Sequence, residues 1–293
     1  MKLTTLTRLK ERFRKTSDMR TKLTLISAAA AVVQLASCNG NPLEDIDYND
    51  PVFHALTETK SGTKTALGKE DNAGNAPIMW SSGDEIIVTG DGREEACSYY
   101  KTADKNTSAA DFRYDRNKNG NRRTLKKDKW YAFYPSSSYS FSGEEHIMEL
   151  PQKQTYSPDN IGEGAMPMYA VSDDDNLSFR NLCGILRIRL NSLKNRLSIS
   201  RIKIASDKDL SGKIIRYSAQ DGIGYLTSEG SSKASAWLEC PENVVLFSDP
   251  ADFYIVMPPG SHSKFKLQLC GSNGVNFIYV TPEPILIERP GIT

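Results

Sequence analysis

Histidine is scarce. His54, His146 and His262 are the only three in 293 residues, and none has a second ligand at metal spacing. The chain has no G-x-x-x-x-G-K-[ST] loop, no H-E-x-x-H and no G-x-S-x-G, so the commonest signatures of nucleotide binding, zinc proteolysis and α/β-hydrolase chemistry are missing. Acids are dense only at Asp173-Asp174-Asp175, inside a segment that reads as a linker, which leaves no evident carboxylate pair for glycoside hydrolysis. Five cysteines lie too far apart for a zinc motif. Glycine (20) and proline (14) are ordinary, which excludes collagen-like and low-complexity classes. No apolar run is long enough for a comfortable transmembrane helix. These absences predict a protein without catalysis, cofactor or metal.

Charge is balanced overall at +1 but unevenly spread. Residues 1–37 carry a net +6 and the remainder a net −5. A mildly acidic body argues against nucleic-acid binding. The basic start belongs to an export signal. Met19-Arg20-Thr21-Lys22 is a positive n-region, and Leu23 to Leu35 is apolar and uncharged. Leu35-Ala36-Ser37-Cys38 then resembles the lipobox of bacterial lipoproteins, in which the Cys thiol is lipidated and becomes the new N-terminus. Residues 1–18 read as an upstream extension, because Met19 begins a complete signal by itself. Residues 1–37 are therefore extension plus signal, Cys38 the lipid attachment site, and 38–50 a tether. That tether holds Pro42, Glu44, Asp45 and Asp47 and too little apolar area to fold alone.

The body reads as strands. Leu186, Ile188 and Leu190 alternate with arginines, Ile202 and Ile204 with Arg201 and Lys203, and Phe265, Leu267 and Leu269 with Lys264, Lys266 and Gln268. A period of two places each apolar set on one face of a half-buried strand. Further β-rich runs are Glu85–Thr89, Trp130–Tyr134, Phe253–Met257, Phe277–Thr281 and Ile285–Ile287. Turn clusters separate them, among them Ser81-Ser82-Gly83-Asp84 and Pro258-Pro259-Gly260. Many short strands with frequent turns predict all-β, antiparallel sandwiches. The length after the tether suits two of them, 51–172 and 173–293, divided at the acidic run Ser172–Asn176.

Asp115-x-Asn117-x-Asn119-Gly120 matches the start of a calcium loop, but Lys126 stands where a bidentate Glu is needed. The segment reads as a solvated hairpin tip. Arg122, Arg123, Lys126, Lys127 and Lys129 make a basic loop beside it. An exported chain meets an oxidising route, and of the pairings open to Cys97, Cys183, Cys240 and Cys270, Cys240–Cys270 is the preferred one.

Seven segments, read in order, resemble the fimbrillin family, subunits and relatives of the type V pilus of Gram-negative gut and oral bacteria. They are Thr63-Lys64-Thr65-Ala66-Leu67; Trp80-Ser81-Ser82-Gly83-Asp84-Glu85-Ile86; Trp130-Tyr131-Ala132-Phe133-Tyr134-Pro135; Leu150-Pro151 with Gln154; Pro167-Met168-Tyr169-Ala170; Leu177-Ser178-Phe179-Arg180-Asn181-Leu182-Cys183-Gly184; and Phe253-Tyr254-Ile255-Val256-Met257-Pro258-Pro259-Gly260. Trp80, Trp130, Phe133 and Phe179 are expected as core anchors. The resemblance implies tandem transthyretin-like β-sandwiches and a surface-exposed, lipid-anchored lipoprotein of the outer membrane or fimbrium. It implies structural or adhesive work, with other pilus subunits as partners by strand exchange and with surface glycans or proteins as adhesion targets. In pilus subunits of that family a protease cuts after Arg or Lys in the first strand, and the vacated groove accepts a strand from the next subunit. Two features depart from the pattern. No Arg lies between Cys38 and Arg93, so Lys60 or Lys64 is the expected maturation site. The sequence given ends at Thr293, where polymerising members carry a further strand segment, which implies either a tip, anchor or accessory component or a piece of a longer protein. The alternative reading is an outer-membrane glycan-binding lipoprotein that stacks exposed Trp and Tyr on sugars.

Overall fold

The structure, a computed structural model, describes residues 50–58, 66–67, 78–90, 97–122, 126, 128–142, 145–193, 196–218, 224–226, 233–289 and 292. Cys38, Lys60 and Lys64, the export segment and the tether up to residue 49 lie outside them.

The regular secondary structure of the described chain is almost wholly strand. In order these are β1 (Phe53–Thr57), β2 (Ala66–Leu67), β3 (Ile78–Met79), β4 (Glu85–Thr89), β5 (Ser98–Thr102), β6 (Ala109–Tyr114), β7 (Trp130–Tyr134), β8 (Tyr139–Ser142), β9 (Glu145–Leu150), β10 (Lys153–Thr155) and β11 (Met168–Ser172). Then follow β12 (Asn176–Asn181), β13 (Gly184–Leu190), β14 (Leu197–Ala205), β15 (Gly212–Ser218), β16 (Gly224–Leu226), β17 (Ser235–Leu246), β18 (Ala251–Met257), β19 (Gly260–His262), β20 (Lys266–Gly271), β21 (Asn276–Val280) and β22 (Ile285–Ile287). The all-β expectation holds, and four of the runs named from sequence match their strands to within a residue: β4, β7, β21 and β22.

The first half closes on itself in the order β1-β12-β11-β7-β4-β5-β6. The closing element is β1, parallel to β12 on one side and antiparallel to β6 on the other. Ser172–Asn176, the boundary expected from the sequence, is the turn between β11 and β12, and both of these strands belong to the closed sheet. Asp174 holds that turn by accepting from Asn176 N and Ser172 Oγ, each at 2.9 Å.

A second sheet runs β10-β17-β14-β20-β21. Between the two lies the ribbon β13–β18, whose faces enter different apolar clusters. Ile185, Tyr254 and Val256 pack with the first cluster, and Leu186, Ile188, Phe253, Ile255 and Met257 with the second. Burial on both faces accounts for the unbroken apolar run Phe253–Met257, which a one-sided strand would interrupt with polar residues. Gln154 sews β10 to this ribbon. Its side chain is buried; Nε2 donates to Val256 O at 2.8 Å, and Oε1 accepts from Val256 N at 2.9 Å. It thus satisfies an interior peptide unit that no strand pairs with from that side.

Two sequence expectations are corrected. Asp115–Gly120 is a capped helical turn, α1 (Arg116–Asn119), rather than a free hairpin tip. Asp115 Oδ1 accepts from Asn117 N and Lys118 N, and buried Asn119 exchanges two hydrogen bonds with the Tyr99 backbone, at 2.9 and 2.8 Å. The oxygens that suggested a cation loop are spent on the chain itself. The Cys240–Cys270 pairing also fails: both thiols are free. β17 and β20 flank β14, so the two cysteines stand two strand spacings apart, roughly 9–10 Å, beyond disulfide reach. Burial pushes the Cys240 and Cys183 thiols up to about 12.

Candidate assembly interface

Three of the motifs that carried the family resemblance meet in one place. Trp80 packs edge-on against Phe112, Tyr134 and Phe179, with centroids 4.9, 5.4 and 5.3 Å away. Asp84, closing the turn after Trp80, accepts from Ser81 N at 2.7 Å and from the Tyr134 hydroxyl at 2.8 Å. Burial, and then the Asp84 charge, hold the Tyr134 phenol well above its ordinary value. Trp80 Nε1 donates to Ala55 O at 3.2 Å, so this cluster grips the first strand by its backbone.

That strand fills a slot. Phe53, Ala55 and Thr57 point into the core while His54 and Leu56 face out. The Phe53 ring meets Tyr100 at 4.7 Å and Trp130 at 5.1 Å. Without β1, the sheet would open between β12 and β6, exposing two strand edges and an apolar groove. Lys60 and Lys64 follow β1 within a few residues in sequence, outside the described part.

The second sheet has a bare edge among the described residues. Among the described residues β21 pairs with β20 alone, and it is exposed along its whole length. Its sequence, Asn-Phe-Ile-Tyr-Val, carries no charge, proline or glycine, the usual protections of an edge strand. The inner-face row runs Leu238, Ile202, Leu269, Phe277 across the paired strands. Leu238 and Ile202 are buried, whereas Phe277 is 50% exposed. The parallel row Ala236, Ile204, Leu267, Tyr279 ends at 58% exposure. The apolar face therefore overhangs its core. Ile278 and Val280, at 58% and 56%, make the outer face of the same strand apolar as well. The run was legible as a strand; what marks it as a candidate interface is the lack of polar alternation at a sheet edge.

The histidines take structural places. His146 is buried among Phe133, Tyr139 and Phe141, its Nδ1 2.7 Å from the Tyr139 hydroxyl, and burial lowers it to about 4. His262 is buried with Nε2 2.9 Å from Pro258 O. His54 is exposed and 2.7 Å from Asp111 Oδ1. Among the described residues no group of three or more His, Cys, Asp or Glu could hold a metal ion. Trp80 and Trp130 are core residues, as expected, which removes two of the three tryptophans from any sugar platform. In the basic loop, Lys126 bonds to Asp173 O and Lys129 lies 3.5 Å from the Asp173 carboxylate. Arg123 and Lys127 lie outside the described residues.

No protein-family model matches the chain, and no curated protein matches its sequence. Solved structures do match over most of its length. A Bacteroides ovatus protein assigned provisionally to cell adhesion is 13% identical, covers 82% of this chain and 88% of its own, and gives a TM-score of 0.45. A Bacteroides fragilis protein with the same provisional assignment is 11% identical over 83% and 91%, at 0.39. The fimbrial anchor protein Mfa2 of Porphyromonas gingivalis is 12% identical over 78% and 81%, at 0.31. Each likeness is remote.

Proposed function

We propose that this chain is a fimbrillin-like cell-surface component of a pilus, structural or adhesive, that assembles with other subunits by strand addition. The observation that carries this reading is β21, an uncharged edge strand exposed on both faces at the end of an overhanging apolar sheet. A strand wrapped in water on both faces and along one edge leaves apolar area and backbone groups that a partner would satisfy together. The closed seam supports the complementary half of the process. Cleavage at Lys60 or Lys64 would detach β1 from the chain behind it, and its departure would open a slot shaped for an alternating strand. Lipidation at Cys38 would hold the uncleaved form at the outer membrane, as the lipobox resemblance implies. The two apolar clusters would correspond to the two expected sandwiches, sharing the β13–β18 ribbon as a wall.

N-terminal sequencing and intact mass of the protein from its native outer membrane test this, with boiled and unboiled gels alongside. A new N-terminus just after Lys60 or Lys64 with a heat-sensitive ladder supports a polymerising subunit. A lipidated Cys38 that runs as a complex only before boiling supports an anchor or accessory role. A lone monomer in every lane removes the assembly reading.

A further inference from the structure

A cleft of about 690 Å3 opens beside the first cluster, between the start of β4, the Tyr134–Ser137 corner and the loop 155–164. Its volume is that of a small-molecule site, and no residue of β21 lines it. The charges at its base are committed. Asp84 accepts from Ser81 N and the Tyr134 hydroxyl, and Glu85 from Ser136 Oγ and Lys118 Nζ. These bonds fix the floor. The loop wall is fixed too: a Cβ on Gly162 would sit 2.5 Å from Thr155 O, so only glycine lets the loop fold this tightly. Gly164, at φ +64°, rests on Pro135.

The uncommitted groups are of a different kind. Glu163 is an exposed carboxylate, while Ser137, Ser157 and Tyr156 offer three hydroxyls. The Tyr156 ring is held against Phe253, with centroids 5.0 Å apart, so its position is set by the core. No Lys or Arg lines the cleft, which disfavours an anionic ligand, and no aliphatic side chain longer than proline does, which disfavours a lipid. Hydroxyls that both donate and accept, outnumbering a single free carboxylate, match a ligand that is itself a neutral array of hydroxyls. We infer that this cleft binds a neutral sugar residue, with Glu163 accepting from sugar hydroxyls and Tyr156 and the two serines completing the set. The site is distinct from the tryptophan platform that the sequence suggested, and it does not depend on assembly through β21.

Isothermal titration of the full chain in detergent with maltoheptaose, mannopentaose, xylohexaose and N-acetylchitotriose tests the inference, with tetralysine as a cationic control. At least one sugar binds at millimolar affinity or better. Glu163→Gln and Tyr156→Phe each weaken it about tenfold, the scale of one lost hydrogen bond to a charged or phenolic partner, with the melting temperature unchanged. Ser248→Ala, at an exposed residue that does not line the cleft, leaves binding intact. The inference is overturned if no sugar in the set binds, if only tetralysine binds, or if both cleft variants bind as the parent does.

Discussion

Gln154 shows how one side chain can act as a strand. It closes both hydrogen-bonding positions of Val256 inside the fold, and Gln154→Ala would leave a buried N–H and C=O without partners. A loss of about 2–6 kcal/mol in urea unfolding is expected, at about 1–3 per orphaned group. Nothing in a single sequence distinguishes this Gln from a surface one, since its partner lies 102 positions away. His146 makes a prediction about acid. Its folded value is lowered from 6.5 to about 4 by burial. The unfolded chain therefore takes up the proton first as pH falls, and the contribution present above pH 6.5 drains away between 6.5 and about 4. The full swing is about 3 kcal/mol. Urea midpoints measured across that range should fall with acid in the parent and lose most of this slope in His146→Phe. Gly184 is the third residue with a specific duty. A Cβ there would lie 2.3 Å from Glu288 O and 2.7 Å from the Ile287 side chain. Gly184→Ala should expose the segment around Ile287 to hydrogen exchange while leaving protection in β4 and β7 unchanged.

At the scale of elements, alternation located the strands but not their neighbours. β4, β7, β21 and β22 were legible because their composition is local. The closure of the first sheet was not, because β1 reaches β12 across more than a hundred residues, in a parallel pairing that no turn signals. The Cys240–Cys270 expectation failed for the same reason: sequence gives two strands in one sheet but not the strand between them. The hairpin-tip expectation failed because Asp and Asn cap a helical turn as readily as they solvate a loop. The assembly site was half legible, as a strand whose edge position only topology reveals. β21 also carries its own prediction. Ile278→Lys places a charge on a solvated strand, so monomer stability should stay within about 0.5 kcal/mol of the parent, as for surface changes generally. A cation on the edge is one of the devices that block strand addition.

For the molecule as a whole, the two sheets differ in kind. The sheet closed by β1 surrounds a filled core, and the sheet edged by β21 ends, among the described residues, in an apolar ledge. On the proposed assembly, pairing a slot with a ledge is heterologous: the contact surface on one copy is not the surface it meets on the next, and such a geometry would build chains rather than closed dimers. The direct test is an unboiled gel of outer-membrane protein from cells expressing either the parent or Ile278→Lys, with equal amounts of folded subunit confirmed by protease resistance. Assembly through β21 predicts a heat-sensitive ladder or complex in the parent that collapses to monomer in the variant. An undiminished ladder in Ile278→Lys would contradict it.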